Sequence, residues 1–471
     1  MTSKGTSWVA LEETVNGIVS ECVNIIVRGT DNATLKGTEI YLHDVTTDTV
    51  STFEWNGTSL TIYVLNGHKY FISGAEVEGY EPAADSLQYI ARAAQTRTIT
   101  LSYPRSEEAE YGIRFLIESS DPSCERVVVK NNITTYGEDT GLVAAIGSKL
   151  TMPKNSFDDI YPWSDIRIVT DSDNAAEAAQ IMVKIPKYYV KVTVDDTYET
   201  WMISRYKKAG YRVAKMFARS DGTEADYYEY ARYETSDTNR SQTGVTPQSS
   251  TTIEAFRTAA LGLGDNWHPA GLADRTDGLQ MLMTIEFATR NIQSIAEGLV
   301  NSKTVSDCGL TDGLTITEDS KGIKPYSGIV KNAFSYRGIE NPYGNLLEYA
   351  DGIILNNSRV YYCDDWTRWS NSINSSYVQA VGTIPTLSGF ITKLNYNEAN
   401  PWMRLPREVI TAGDSDSNYS DYYNAPTADY TLPVYGGGYS TNLRAGLFHW
   451  NCTRTFSEIN RDIGSRLARS F

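Results

Sequence analysis

Two Asn-Gly pairs, Asn56-Gly57 and Asn66-Gly67, stand between short runs of alternating apolar and polar residues. The runs are Thr52-Phe53-Glu54-Trp55, Leu60-Thr61-Ile62-Tyr63-Val64-Leu65 and Lys69-Tyr70-Phe71-Ile72. Asn-Gly tolerates positive φ at both central positions of a two-residue turn, so the pattern predicts consecutive β-hairpins. Val23-Asn24-Ile25-Ile26-Val27 and Thr38-Glu39-Ile40-Tyr41-Leu42 precede them, and Thr98-Ile99-Thr100-Leu101 follows. That strand count predicts a small all-β sandwich of immunoglobulin or transthyretin-like type over residues 1–104, ended by a linker near Pro104-Arg105-Ser106-Glu107-Glu108. No constellation of chemical groups marks it, and its expected role is attachment, spacing or oligomer contacts.

Residues 105–156 carry two further strand patterns, Ile113-Arg114-Phe115-Leu116-Ile117 and Arg126-Val127-Val128-Val129. They suit either a bridging sheet or the first strands of the next domain. From 157 to 471 helical signals join the strands, which makes the class α+β. Residues 183–192 alternate as one strand. Thr251-Thr252-Ile253-Glu254 reads as a capping box, in which the Thr251 hydroxyl takes a free amide and Glu254 reaches back, with the helix stopped at Gly262 and Gly264. A second helix is expected over residues 277–297, with Leu279, Leu282, Ile285, Ile292 and Ile295 on one face and Gly298 at its end.

At 471 residues the chain is long enough for about two to four domains. A formal net charge of −16 supplies no basic stripe to displace counterions from phosphates, so no nucleic-acid partner is expected, and no attraction to an anionic membrane. No run approaches ~18 apolar residues and the first eight residues lack the regions of a signal peptide, so no membrane insertion is expected. Synthesis in a reducing cytoplasm and release by lysis fit that pattern. Cys22, Cys124, Cys308, Cys363 and Cys452 are far apart, odd in number and without a CxxC, which predicts free buried thiols. His43, His68, His268 and His449 have no zinc spacing, and neither metal nor cofactor is expected. Against 12 Phe there are 32 Tyr, with abundant Ser, Thr, Asn and Gly, the vocabulary that antibody paratopes use for rigid amphipathic contact.

Residues 436–466 mix two kinds of position. Gly446, Leu447, Phe448, Trp450, Ile463 and Gly464 read as a scaffold, the apolar run after Gly446 as a buried strand and the late Ile-Gly as a strand entering a bend. Between them stand Tyr439, Thr441, Asn442, Arg444, His449, Asn451, Thr453, Arg454, Phe456, Asn460, Arg461 and Asp462, which share neither chemistry, charge nor periodicity. Such a set makes a recognition surface more readily than a reaction centre. A few of them, Tyr439, Arg444, Arg454 and Phe456, are expected to dominate affinity.

This arrangement, Gly436-Gly437-Gly438-Tyr439-Ser440-Thr441-Asn442 followed by Ala445-Gly446-Leu447-Phe448-His449-Trp450-Asn451-Cys452 and Ile463-Gly464-Ser465-Arg466, resembles the variable region of proteins diversified by retroelements in phages and bacteria. Those proteins have a modified C-type lectin fold, and adenine-directed copying errors let Asn codons drift. The interspersed residues are mostly what that drift produces; Glu458 is not, and is read as fixed. Upstream, Gly344-Asn345-Leu346-Leu347-Glu348-Tyr349-Ala350-Asp351-Gly352 is similar to the GN-x-x-EW-x-DG element that this family shares with formylglycine-generating enzymes, with Tyr349 where Trp is usual. Asn345 and Glu348 are expected to be buried and bonded to loop backbone, with Gly344 allowing a close turn, a structural role. Tyr161-Pro162-Trp163-Ser164-Asp165-Ile166 and the strand at 183–192 look like the opening of lectin-fold phage tail proteins. The resemblance implies a receptor-binding protein at a tail-fibre tip, part of the virion. Its partners would be a host bacterial surface protein or glycan and, through the N-terminal domain, other tail proteins, as a homotrimer.

The same residues offer few of the groups that other chemistry requires. A formylglycine-generating oxidase needs a reactive cysteine pair, for which Cys363 and Cys452 are the candidates. Lectin calcium motifs are missed by Glu340-Asn341-Pro342 and Trp450-Asn451-Cys452. Asp414, Asp416 and Asp421 offer oxygen donors but read as a solvated acidic loop. Gly262-Leu263-Gly264 has no following lysine and is a helix stop. The expectation is binding without catalysis; a bacterial surface or secreted protein of the same fold, or a glycan-degrading enzyme, is the alternative. The loops at 356–374 and 415–424 either border the binding face or cover the core.

Overall fold

The computed structural model describes residues 20–471 apart from 31, 59, 76, 78–79, 81–82, 84–88, 92–95, 105–107, 172–179, 220, 320–321, 396–398 and 414–415. The signal-peptide reading of the first eight residues and most of the expected linker at 104–108 therefore lie outside the described residues. Two compact units emerge: one takes residues up to Glu110 with Val129–Thr134 and Ser204–Arg212, the other Tyr111–Val128, Thr135–Ile203 and Val213–Phe471.

In the first unit, strands Leu60–Leu65, Ser20–Gly29 and Thr96–Tyr103 form one sheet in that order, and Thr49–Glu54, Glu39–Asp44, Lys69–Gly74 and Tyr89–Ile90 form another. Alternation along each strand turns Val23, Ile25, Val27, Ile62, Val64, Ile99 and Leu101 of the first sheet toward Ile40, Leu42, Tyr70 and Ile72 of the second, where all are buried in one cluster. Each such aliphatic side chain contributes about 1.5–3 kcal/mol by leaving water, and the result is a two-layer sandwich.

The Asn-Gly pairs do not close hairpins. They are corners at which the chain passes from one sheet to the other, since Leu60–Leu65 pairs with Ser20–Gly29 while its sequence neighbours pair with Glu39–Asp44. Only the glycines take positive φ, +95° at Gly57 and +81° at Gly67. That is the glycine position of a type II turn, whose twist splays flanking strands where a primed turn would pair them. The hairpin that does form joins Glu39–Asp44 to Thr49–Glu54 without any Asn-Gly; Asp44 Oδ1 accepts the amides of Thr46 at 2.9 Å and Thr47 at 3.3 Å.

The second unit is mostly β, with short helices between mixed sheets. Tyr198↔Leu116 through Ile203↔Tyr111 pair antiparallel, so Ile113 and Phe115 share the large unit's core with Trp201 and Ile203 instead of standing in a separate bridge. The expected strand at 183–192 is two strands, Gln180–Pro186 and Tyr189–Val194, in different sheets. Pro186, with no N–H to donate, ends the first. A seven-stranded sheet runs in the order Trp267–Pro269, Leu467–Arg469, Tyr227–Ala231, Gln180–Pro186, Arg167–Asp171, Gly322–Pro325 and Thr315–Asp319. A ten-stranded sheet contains Thr431–Tyr435, Trp450–Thr455, Tyr422–Asn424 and Gly389–Leu394 as successive neighbours.

The first helix, Ile253–Leu261, is capped one residue later than expected: Thr252 accepts from the Ala255 amide at 3.3 Å, and Glu254 bonds Asn371 instead of closing a box. The second helix is shorter than its apolar periodicity suggests. A π-helical segment Asp274–Gln280 leads into α-helix Met281–Phe287, which ends at left-handed Ala288. Beyond it the carbonyl of Ala288 accepts the Cys124 amide, a strand-like bond that competes with continuing the helix, and Ile292–Ser294 is only a 3-10 turn. Among the described residues no helix is long and apolar enough to cross a membrane.

Nothing lies within 4 Å of the point where a Cβ on Gly67 would stand, so Gly67→Ala tests the backbone term alone. We expect it to cost about 1–2 kcal/mol in urea unfolding, with Gly67→Asn milder; unchanged stability would show that the corner does not need its left-handed residue.

Candidate ligand-binding cleft

The strand Trp450–Thr455 begins with strict alternation: Trp450 and Cys452 are buried, Asn451 and Thr453 half-buried. Its antiparallel register with Thr431–Tyr435 pairs Trp450 with Tyr435 and Asn451 with Val434, then Arg454 with Leu432. Three steps on one strand thus match two on the other, which is a β-bulge. The extra residue reverses the alternation, so Arg454 lines the same concavity as Asn451.

The loop ahead of this strand is held from behind. The Gly344 amide donates to the carbonyl of Gly437 at 3.0 Å, the Tyr439 amide to that of Asn345 at 2.8 Å and the Asn442 amide to that of Val300 at 2.8 Å. A Cβ on Gly344, at φ +83°, would stand 2.9 Å from the Leu299 nitrogen. At the loop's end a Cβ on Gly446 would overlap the Asp421 carboxyl, whose Oδ2 accepts the Phe448 amide at 2.5 Å. Leu447 and Phe448 are buried, but outside any strand, so the expected strand starts only at Trp450. Pinned at both ends, the chain turns through a 3-10 segment, Asn442–Arg444, whose side chains are exposed.

The segment from Gly344 to Gly352 supplies the anchorage. Asn345 is fully buried; its Nδ2 donates to Glu234 and its Oδ1 accepts the Ser306 amide at 2.7 Å. Glu348, also buried, accepts from Arg466 Nε at 2.8 Å and from Arg275 Nη2. Asp351 takes both forks of Arg257 at 2.8 Å. Gly464 lies in Ile463–Gly464, which pairs parallel with Leu347 and Glu348.

On this frame opens a cleft of about 690 Å³. Of the residues singled out in the sequence, Thr441, Asn442, Arg444, His449, Asn451, Arg454 and Asp462 line it. The others are placed elsewhere. Tyr439 is 6% exposed and belongs to the frame, because both its amide and its carbonyl are spent on neighbouring loops. Phe456 is half-buried against two apolar clusters. Thr453 donates its hydroxyl back to Asn451 Oδ1 at 2.7 Å, the Asn460 carbonyl accepts the Ser250 amide, and Arg461 is exposed away from the lining. Of the four expected anchors, Arg444 and Arg454 face the cleft. Sequence reasoning missed Leu347, Phe390, Asn424, Ser440 and Leu443. Phe390 and Asn424 carry no local signal; they arrive because Gly389–Leu394 and Tyr422–Asn424 are laid beside Trp450–Thr455 by sheet topology.

His449 lines the cleft but is only 2% exposed. Its Nδ1 meets the Arg444 carbonyl at 2.8 Å, so Nδ1 carries the proton and Nε2 is left as an acceptor. Burial pushes its pKa down to about 4, with the nearby Arg444 charge acting the same way. The Arg454 guanidinium pairs with Glu458 at 2.6 Å. Burial holds the Asp421 carboxyl well above the usual carboxylate range, which together with its bond to Phe448 makes it part of the frame and not a cation ligand. Asp416 is exposed, and Asp414 lies outside the described residues. The thiols of Cys363 and Cys452 sit in separate apolar clusters, and burial raises both pKa values, the opposite of what a reactive pair needs.

No protein-family model and no curated protein matches the chain. Among solved structures it is similar to one titled Major Tropism Determinant U1 Variant, at 11% identity and a TM-score of 0.26, covering 75% of this chain and 82% of that one.

A folded-state pKa of about 4 against an ordinary 6.5 means the unfolded chain binds the His449 proton first. Stability is therefore present above pH 6.5 and lost as pH falls toward 4, by about 2 kcal/mol between pH 7 and 5. His268, buried and likewise pushed to about 4, adds a similar slope. Buried Glu234 and Asp274, raised to about 8 and 6, act in the opposite sense, so the His449 share is read as a difference: we expect the stability of His449→Gln relative to the parent to improve by about 2 kcal/mol between pH 7 and pH 5 in urea unfolding, and a difference that does not change with pH would mean that His449 is protonated in the folded state.

Proposed function

We propose that this chain is a receptor-binding protein of a phage tail fibre. On this reading the cleft takes a ligand on the surface of the host bacterium, residues 436–466 are diversified through a retroelement, and the large unit is a modified C-type lectin frame. The observation that carries the reading is convergence: seven of the twelve residues that share neither chemistry nor periodicity line one concavity, while the scaffold residues Gly446, Leu447, Phe448, Trp450, Ile463 and Gly464 are buried. Ordinary core or loop positions picked from a sequence without regard to periodicity would not collect on one surface.

The proposed mechanism is recognition without covalent chemistry. The lining offers a guanidinium, amides, hydroxyls and one imidazole acceptor around an aromatic ring, a set suited to hydrogen bonding and stacking. A single cleft of this size supports modest affinity, and the N-terminal sandwich would attach copies to the fibre as a homotrimer, so that high effective concentration provides avidity.

The test is adsorption of labelled full-length protein to a panel of bacterial strains. Asn451→Trp and Ser440→Trp, which fill the cleft, should reduce adsorption at least tenfold with the melting temperature unchanged. Tyr63→Ala, an exposed position in the N-terminal sandwich, should adsorb normally. Cleft-filled protein that adsorbs like the parent would contradict the reading.

A further inference from the structure

The guanidinium of Arg444 is exposed and lies 4.5 Å over the ring of Tyr422, and Phe390 stands edge-on to the same ring at 5.2 Å. Among the described residues no carboxylate or carbonyl engages that guanidinium. The other cleft arginine is different: Arg454 is paired with Glu458, and these two and Asp462 all lie within electrostatic reach of the Tyr349 hydroxyl. The cleft is thus polar end to end. An uncompensated cation on an aromatic shelf marks one end, and a compensated group with a surplus acid marks the other.

From this juxtaposition we infer that the ligand is a carboxylate-bearing saccharide, with its carboxylate on Arg444 and the C–H face of its ring on Phe390. This rests on the receptor reading above and names the ligand class of the same cleft. A planar guanidinium placed over a ring can make two parallel N–H bonds to a carboxylate, which a lysine cannot match. The surplus acid at the far end repels the carboxylate and so sets the ligand's direction. Between the two ends the lining suits hydroxyl groups. Asn451 Oδ1 is occupied by the amide and hydroxyl of Thr453, which leaves its N–H donors, and His449 supplies an acceptor through Nε2. Phe390 and Tyr422 lie outside residues 436–466, so the shelf is independent of the variable stretch, whereas Arg444 belongs to it. Exchange at position 444 would then move the specificity from acidic to neutral sugars on an unchanged shelf.

The experiment is calorimetric titration of the full-length protein with trigalacturonate and its carboxyl-reduced form, and with sialyllactose and its methyl ester. The inference predicts that at least one acid binds and that its neutral counterpart binds roughly tenfold or more weakly. Binding by one pair and not the other tells a hexuronate from a nonulosonate. Arg444→Gln should weaken the acid by the same factor without further weakening the neutral form, Arg444→Lys should recover part of the loss, and Phe390→Ala should weaken both. Equal affinity for acid and neutral forms, an Arg444→Gln variant that binds the acid normally, or no binding of either acid would overturn the inference. Were cell adsorption still lost in Asn451→Trp, the receptor reading would survive that failure.

Discussion

The carboxylate of Glu348 holds the large unit's loops in place. It is buried between two buried arginines, Arg275 and Arg466, and both arginines also donate to backbone carbonyls. Arg466 reaches those of Ala231, Arg232, Glu340 and Asn341, and Arg275 reaches that of Pro342. Irregular loops cannot satisfy all their own carbonyls, and here two side chains reach five of them in two segments, 231–232 and 340–342. Desolvating three charges is expensive, but losing one partner is worse, at about 3–5 kcal/mol, because it strands the others. Since Arg466 closes the stretch 436–466, the same ion triad that orders the loops also fixes where that stretch ends.

Above this base the cleft separates holding from contacting. Backbone amides of Gly344, Tyr439 and Asn442 do most of the holding, helped by the Thr441 hydroxyl, which accepts the Gly438 amide at 2.9 Å, so the loop's course depends little on the side chains at Ser440 and Arg444. Gly446 against Asp421, and Trp450 edge-on to Tyr435 at 4.6 Å, are the opposite case, where volume decides. The bulge in Trp450–Thr455 adds a device that no side chain specifies: one extra residue turns Arg454 and Asn451 to a common side.

The parts of this arrangement visible in the sequence were those carried by local chemistry. Strand alternation located most of the first unit's inner faces and glycines marked the loop ends, whereas the burial of Asn345 and Glu348 was legible through the resemblance of their segment to a known sequence element. What was hidden depended on distant partners. Asn-Gly marked real turns, but whether a turn closes a hairpin or crosses between sheets is decided by pairing with strands far away in sequence. The helix expected over 277–297 kept its apolar period past Phe287, yet the Ala288 carbonyl is taken by Cys124. Tyr439 and His449 looked like their exposed neighbours because burial in a loop leaves no periodic trace. Phe390 was invisible for the same reason in reverse, since only sheet order brings it to the cleft.

The central claim is that a rigid frame carries replaceable contacts, and a substitution scan of residues 436–466 read by folded yield and protease resistance tests it most directly. The account predicts that nearly all side chains are accepted at Ser440, Arg444 and Asn451, and that almost none are accepted at Gly446, Trp450, Gly464 and Arg466. Equal intolerance at the two sets of positions would contradict it.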